Sequence, residues 1–368
     1  MTRVLLGCYE VPGWGGAATA SYRLLRCLRE RGLDASYVTI VDPSDLDFFR
    51  LLFGPAAGNP DGLDGVHTLV LRERLGAPQP ELAALVRELD PDVILAVGDA
   101  AAYALGRAAP DRPLVFLASG FRQIDQGVTL RRVRDLQEQM ARIRRGVALS
   151  LIYPSEADAV ERATLVMTHA PPVLEMARAF FPGYAGKIHP RVVWYAEWIH
   201  ADALAFADLA RPWDDRDVDV LFVANSWERA VKNWPLVEEM GRRLPGLRLH
   251  VVGEVPRRAP GLTYHGMLTD RRRVFELMGR ARAVASPSVF DAAPGILFEA
   301  ATLGCNVVAS MNCGNWELCD ESLLAHPFTP RVFADRLRRG AAGPVGSRLG
   351  DFLARRSLAD LAETLEVL

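Results

Sequence analysis

The sequence predicts an α/β protein built from two units, each with its own mostly parallel sheet. Three observations carry that reading. Apolar runs of strand length alternate with helical patterns through the first half, a charged stretch interrupts them, and the alternation then resumes. The first-half runs are Val4 to Gly7, Ser36 to Val41, His67 to Leu71, Val93 to Val97, Leu114 to Leu117 and Leu165 to Thr168. The interruption is Arg211-Pro212-Trp213-Asp214-Asp215-Arg216-Asp217, the predicted domain linker. Beyond it come Val218 to Val223, Leu247 to Val252, Leu262 to His265, Ala283 to Ala285 and Val307 to Ala309. No repeat of solenoid length and no low-complexity tract is present.

Composition agrees with this plan and excludes several function classes. A chain of 368 residues, 50% hydrophobic and 24% charged, is long enough for two ordinary cores. A formal net charge of −2 gives no global electrostatic case for nucleic acid. No apolar run reaches transmembrane length, and Met1-Thr2-Arg3 leads straight into a strand, so a cytoplasmic protein is expected. The five cysteines, Cys8, Cys27, Cys305, Cys313 and Cys319, form no Cys-x2-Cys pair and read as structural thiols, with no metal site.

The segment from Ser286 to Asn315 carries most of the functional signal. Val284 and Ala285 close a strand, Ser286-Pro287-Ser288 ends it, and Pro294-Gly295 turns into an apolar helix from Ile296 to Leu303, with Gly304 as its stop. Asn306 to Ser310 starts the next strand. Asp291 therefore falls on a strand-to-helix loop and Glu299 about one turn inside the helix. This is the edge of an open α/β sheet where ligands bind, and a helix N-terminus there offers an anion free N–H groups and roughly half a positive charge.

That segment resembles the Glu-x7-Glu region of the retaining glycosyltransferases of the GT-B fold, the glycosyltransferase family 4 or glycosyl transferases group 1 superfamily. Pro287-Ser288, Pro294, Phe298-Glu299-Ala300, Gly304, Val307-Val308 and Gly314 fall in register with it; Asp291 replaces the first family Glu, and Cys313-Gly314 replaces a Gly-Gly pair. The resemblance implies two Rossmann-like domains facing a central cleft, with an acceptor-binding domain over 1–210 and a nucleotide-sugar-binding domain over 211–350. A C-terminal helix over 351–368 would return to the first domain. It also implies retaining transfer of a sugar from a UDP- or GDP-type nucleotide sugar to an acceptor hydroxyl, with no cofactor and no metal. The acceptor would be a glycan, a lipid-linked sugar or a small molecule.

Further landmarks occur in the family's order. Lys232-Asn233 matches the Lys-Asn after the first strand of the nucleotide domain, where cations contact the diphosphate, and Arg229 is a displaced candidate for the family's Arg. Val251-Val252-Gly253-Glu254 resembles the strand end that approaches the nucleotide, and Tyr264-His265-Gly266 the segment bordering the base. By this resemblance Glu299 takes the ribose hydroxyls, and Asp291 faces the donor sugar with the backbone of Pro294, Gly295 and Ile296. Lys232 then stabilises the departing diphosphate.

In the first half, Cys8 to Gly16 is a glycine-rich turn before a helix whose Ser21, Leu24, Leu25 and Leu28 recur at helical spacing; Gly15 and Gly16 are candidate donor contacts. Gly13-x-Gly15-x-x-Ala18 also meets a loose dinucleotide fingerprint, but five residues, Cys8 to Pro12, separate it from the strand end. A family His near the donor sugar has no counterpart in Phe116 to Arg122, which leaves Ser119 and Arg122, with His169 at another strand end as a third candidate. Leu130 to Arg145 has an apolar stripe and six arginines, and reads either as a packed helix or as a peripheral membrane contact. Two other classes stay open: a non-catalytic GT-B nucleotide-binding or partner protein, and a GT-B sugar-nucleotide epimerase.

Overall fold

The structure, a computed structural model, describes residues 1–9, 11–12, 16–41, 59, 61–72, 75, 77–121, 154–193, 196–355 and 359–368. In chain order the first half contains β1 (Arg3–Tyr9), α1 (Gly16–Glu30), β2 (Asp34–Val41), β3 (Val66–Val70), α2 (Pro80–Leu89), β4 (Val93–Val97) and α3 (Asp99–Ala108). It continues with β5 (Leu114–Ala118), α4 (Pro154–Arg162), β6 (Leu165–Thr168), α5 (Pro171–Phe180), β7 (Ile188–Val192) and α6 (Ala196–Leu204). The second half contains β8 (Val218–Ser226), α7 (Trp234–Arg243), β9 (Leu249–Glu254), β10 (Leu262–Tyr264), α8 (Arg271–Gly279), β11 (Ala281–Ser286) and α9 (Gly295–Thr302). It closes with β12 (Asn306–Ser310), β13 (Leu324–Ala325), α10 (Pro330–Ala342), α11 (Leu349–Arg355) and α12 (Ala359–Val367).

Two parallel sheets result, a seven-stranded one in the order β3-β2-β1-β4-β5-β6-β7 and a six-stranded one in the order β10-β9-β8-β11-β12-β13. The central strands β4, β5 and β12 are buried at every position, as continuous apolar runs covered on both faces require. The sequence misses two strands, β7 and β13. Both are sheet edges, β7 carrying His189-Pro190-Arg191 and β13 only two residues long, so neither presents an apolar run. In each sheet the strand order reverses once, between β1 and β4 and between β8 and β11, and these reversals open crevices at the strands' carboxyl ends.

Among the described residues, one unit comprises those before 122, those from 154 to 198 and helix α12; the other runs from Ile199 to 355. The second unit thus begins ahead of the 211–217 stretch that the sequence marks as the linker. The reason lies in the side chains: Ile199 is buried, His200 Nδ1 meets Thr302 Oγ1 at 2.9 Å, and the Phe206 ring stacks on Phe275 with centroids 4.4 Å apart. Arg216, inside the expected linker, is buried and donates to the carbonyls of Arg211, Ala281 and Leu303. The expected 351–368 tail divides as well, because Phe352 of α11 packs edge-on against Phe298 at 5.1 Å while α12 belongs to the first unit. No helix of the described residues is long and apolar enough to cross a membrane.

Candidate functional site

The reversal between β8 and β11 places two loops side by side. After β8, Trp227 is buried and its indole N–H donates to Val252 O at 3.0 Å, which ends the strand and starts the turn Ala230–Lys232. Asn233 follows in the left-handed region, φ 60°, a conformation Asn tolerates better than most residues. Its buried side-chain amide donates to both Pro287 O and Pro327 O at 3.0 Å. Val289 N donates to Val231 O at 2.8 Å, so the loop after β11 is tied directly to this turn.

That tie brings the two predicted catalytic residues together. Lys232 Nζ lies 2.5 Å from Asp291 Oδ2, the two side chains 21% and 17% exposed. Asp291 is held through its backbone: it bridges Cys313, and its carbonyl accepts from Gly314 N at 2.8 Å. Asn312 donates to Val289 O and the buried Asn315 to Pro294 O, bracing the loop from the other side. Burial, with the Asp291 charge adding to it, pushes the Cys313 thiol up to about 12, so this cysteine is an inert spacer.

Pro294 is the N-cap of α9, and no side chain caps the helix there. Gly295 and Ile296, the next two predicted donor contacts, form its partly exposed first turn. Glu299 sits one turn further on, where Arg271 Nη2 donates to its Oε1 at 3.1 Å. Arg271, the first residue of α8, also lies over the rings of Phe206 and Phe275, at 5.7 and 5.0 Å. The sequence gives no sign of this partner beyond the basic character of the helix, because the two residues are 28 positions apart.

Gly253 lies near the end of β9, backbone to backbone with the end of β8. Its φ is +111°, its N–H donates to Gly266 O, and a Cβ there would stand 1.7 Å from Ala224 O. Only glycine fits this approach of two backbones. His265 packs ring to ring with His250, nitrogen to nitrogen at 2.9 Å, and burial lowers both below the ordinary histidine value. Arg229 is exposed and its carbonyl accepts from Lys232 N at 2.9 Å. Among the described residues no group of three or more His, Cys, Asp or Glu is arranged to hold a metal ion.

The first-unit candidates fare differently. Gly16 starts α1 with open space around it, while Gly15, Arg122 and the 130–145 segment lie outside the described residues. Ser119 follows β5 and is partly exposed. His169 is only 4% exposed, and its Nδ1 bonds to Ala118 O at 2.9 Å.

Residues 218–341 match the family described as Glycosyl transferases group 1. Alr3699/HepE of Anabaena, solved in complex with UDP, shares 17% identity over 100% of both chains with a TM-score of 0.63. Sucrose-phosphate synthase of Thermosynechococcus elongatus shares 17% over 95% of this chain and 92% of its own, TM-score 0.62. The lipopolysaccharide outer core galactosyltransferase WaaB shares 12% over 99% and 95%, TM-score 0.58. Comparison with curated protein sequences gives no match. The chain has the GT-B fold, and its residues 218–341 are similar to the glycosyl transferases group 1 family.

Proposed function

We propose that this protein is a retaining glycosyltransferase that moves a sugar from a nucleoside diphosphate sugar to an acceptor hydroxyl. The observation that carries the reading is the Lys232–Asp291 pair at the strand-order reversal, with Glu299 on the helix that follows. The three groups match the three parts of a nucleotide sugar. A carboxylate accepts from a vicinal diol, which suits Glu299 to the ribose. A half-buried ammonium offsets diphosphate charge, which suits Lys232, and Asp291 accepts from sugar hydroxyls.

In the reaction the bond between the anomeric carbon and the terminal phosphate oxygen breaks. A new bond forms to the acceptor oxygen, and the acceptor's proton leaves with the free diphosphate. Negative charge therefore grows on the phosphates in the transition state, where Lys232 and the uncapped start of α9 are worth most. This positive charge comes from protein groups, and we expect turnover without a divalent cation. UDP is the first nucleotide to test, since HepE has been solved with UDP and with UDP and glucose. The first unit is assigned to the acceptor, a glycan, lipid-linked sugar or small molecule.

The test is incubation with a panel of UDP- and GDP-sugars in excess EDTA, without acceptor. Slow release of free sugar in its retained anomeric form supports the proposal. A new epimer still attached to nucleotide would make the protein an epimerase, and binding without either product a non-catalytic nucleotide-binding protein. Activity lost in EDTA and restored by Mg2+ or Mn2+ would overturn the metal-free part.

A further inference from the structure

Lys232 and Asp291 are set against each other by the framework. The turn carrying Lys232 is fixed by the two buried hydrogen bonds that the Asn233 side chain donates, and the loop carrying Asp291 by Gly314 N; the two segments are cross-braced from Val289 N to Val231 O. The charges meet at 2.5 Å in surroundings that leave less than a quarter of either side chain exposed. There the attraction is much stronger than between solvated charges, and an abandoned partner is costly.

We propose that this ion pair makes the site prefer an intact nucleoside diphosphate sugar over the free nucleoside diphosphate, because Asp291 competes with phosphate for Lys232. The inference rests on the nucleotide-sugar reading above. A lysine ammonium is a compact charge, so a phosphate that engages it draws it away from the carboxylate. With a donor sugar present, sugar hydroxyls donate to Asp291 and replace what it loses. With the free diphosphate there is no such hydroxyl, and the terminal phosphate brings one more negative charge toward an uncompensated carboxylate. Asp291 thus opposes the product more than the donor. Restoration of the pair after transfer helps expel the spent nucleotide.

This departs from the role that resemblance gives Asp291, a contact to the sugar alone. A sugar-only contact predicts that Asp291→Asn leaves affinity for the free diphosphate unchanged. The ion pair predicts that affinity rises.

The experiment is calorimetric titration of the full chain with UDP and UDP-glucose, using wild type, Asp291→Asn, Asp291→Ala, Lys232→Met and the Lys232→Met/Asp291→Asn double variant. The ties of Asp291 to the framework run through its main chain, so both Asp variants keep them. Expected is UDP binding about tenfold tighter in both Asp variants, with UDP-glucose unchanged or weaker, and a smaller gain where Lys232 is absent. UDP bound no tighter by either Asp variant overturns the inference and leaves the nucleotide-sugar reading standing. A wild type that binds neither UDP nor GDP overturns that reading, and the inference with it.

Discussion

The carboxyl edges of the two sheets carry opposite kinds of polar group. At the edge of the six-stranded sheet Lys232, Asp291, Glu299 and Arg271 are partly exposed, and their charges face one another. At the edge of the seven-stranded sheet the described histidine, His169, is buried and bonded to a backbone carbonyl, beside Thr168, also buried. The difference teaches what a ligand can use. A charge pair within reach of solvent can exchange one partner for a phosphate or a hydroxyl, whereas a ring locked to the backbone can only support the strand end. In the function proposed above, recognition of the nucleotide falls to the second unit and that of the acceptor to the first.

The comparison breaks most visibly at glycines. Gly253→Ala forces a Cβ into Ala224 O at φ +111°, and should cost more than about 3 kcal/mol in chemical denaturation. Gly16→Ala, with nothing within 4 Å of its added carbon and a helical backbone, should be neutral or slightly stabilising. Equal effects at the two positions would mean that the second edge is no more tightly built than the first. Next in size is Asn233→Ala, which deletes two buried hydrogen bonds and exchanges a tolerated left-handed residue for a disfavoured one. The expected loss is about 2–4 kcal/mol in stability, with weaker UDP binding, because the position of Lys232 depends on it.

Substitutions in the charged set sharpen the contrast without unfolding anything. Lys232→Met should lower turnover more than it lowers affinity for the nucleoside alone, since the ammonium acts on the departing phosphates. His169→Gln should cost about 1 kcal/mol of stability and leave turnover within a few-fold. Reduced turnover at unchanged stability would move the chemistry toward the first unit. Acid should discriminate too. Burial lowers His200, His250 and His265, all in the second unit, below the ordinary histidine value. Their folded pKa values lie below the unfolded ones, so the stability they contribute is complete above about pH 6.5 and is lost as pH falls through the lowered values. The melting temperature should drop by a few degrees on acidification from pH 7 to 5, and His250→Asn should flatten that drop.

Most of the fold was legible in the sequence because parallel strands buried on both faces announce themselves as apolar runs. The placement of Asp291, Glu299, Lys232 and Gly253 was legible because each stands near a strand end or helix start, where spacing fixes position. What stayed hidden was contact between distant segments. Arg271 meets Glu299 only because α8 and α9 lie together, and nothing local to either residue records that. The start of the second unit at Ile199 was masked by the charged 211–217 stretch, which looks like a linker although Arg216 is buried against three carbonyls. His169 stands at a strand end as a site residue would, and its burial and its bond to Ala118 O are features that no local pattern records.

The central claim is that the second unit binds a nucleoside diphosphate through Glu299 and Lys232. It is tested most directly by calorimetric titration of UDP and GDP into wild type and Glu299→Gln. Expected are saturable binding of at least one nucleotide by the wild type and a loss of about 1.5–3 kcal/mol in the variant, the magnitude of hydrogen bonds to a charged group. A folded variant that binds as tightly as the wild type, or a wild type that binds neither nucleotide, would contradict it.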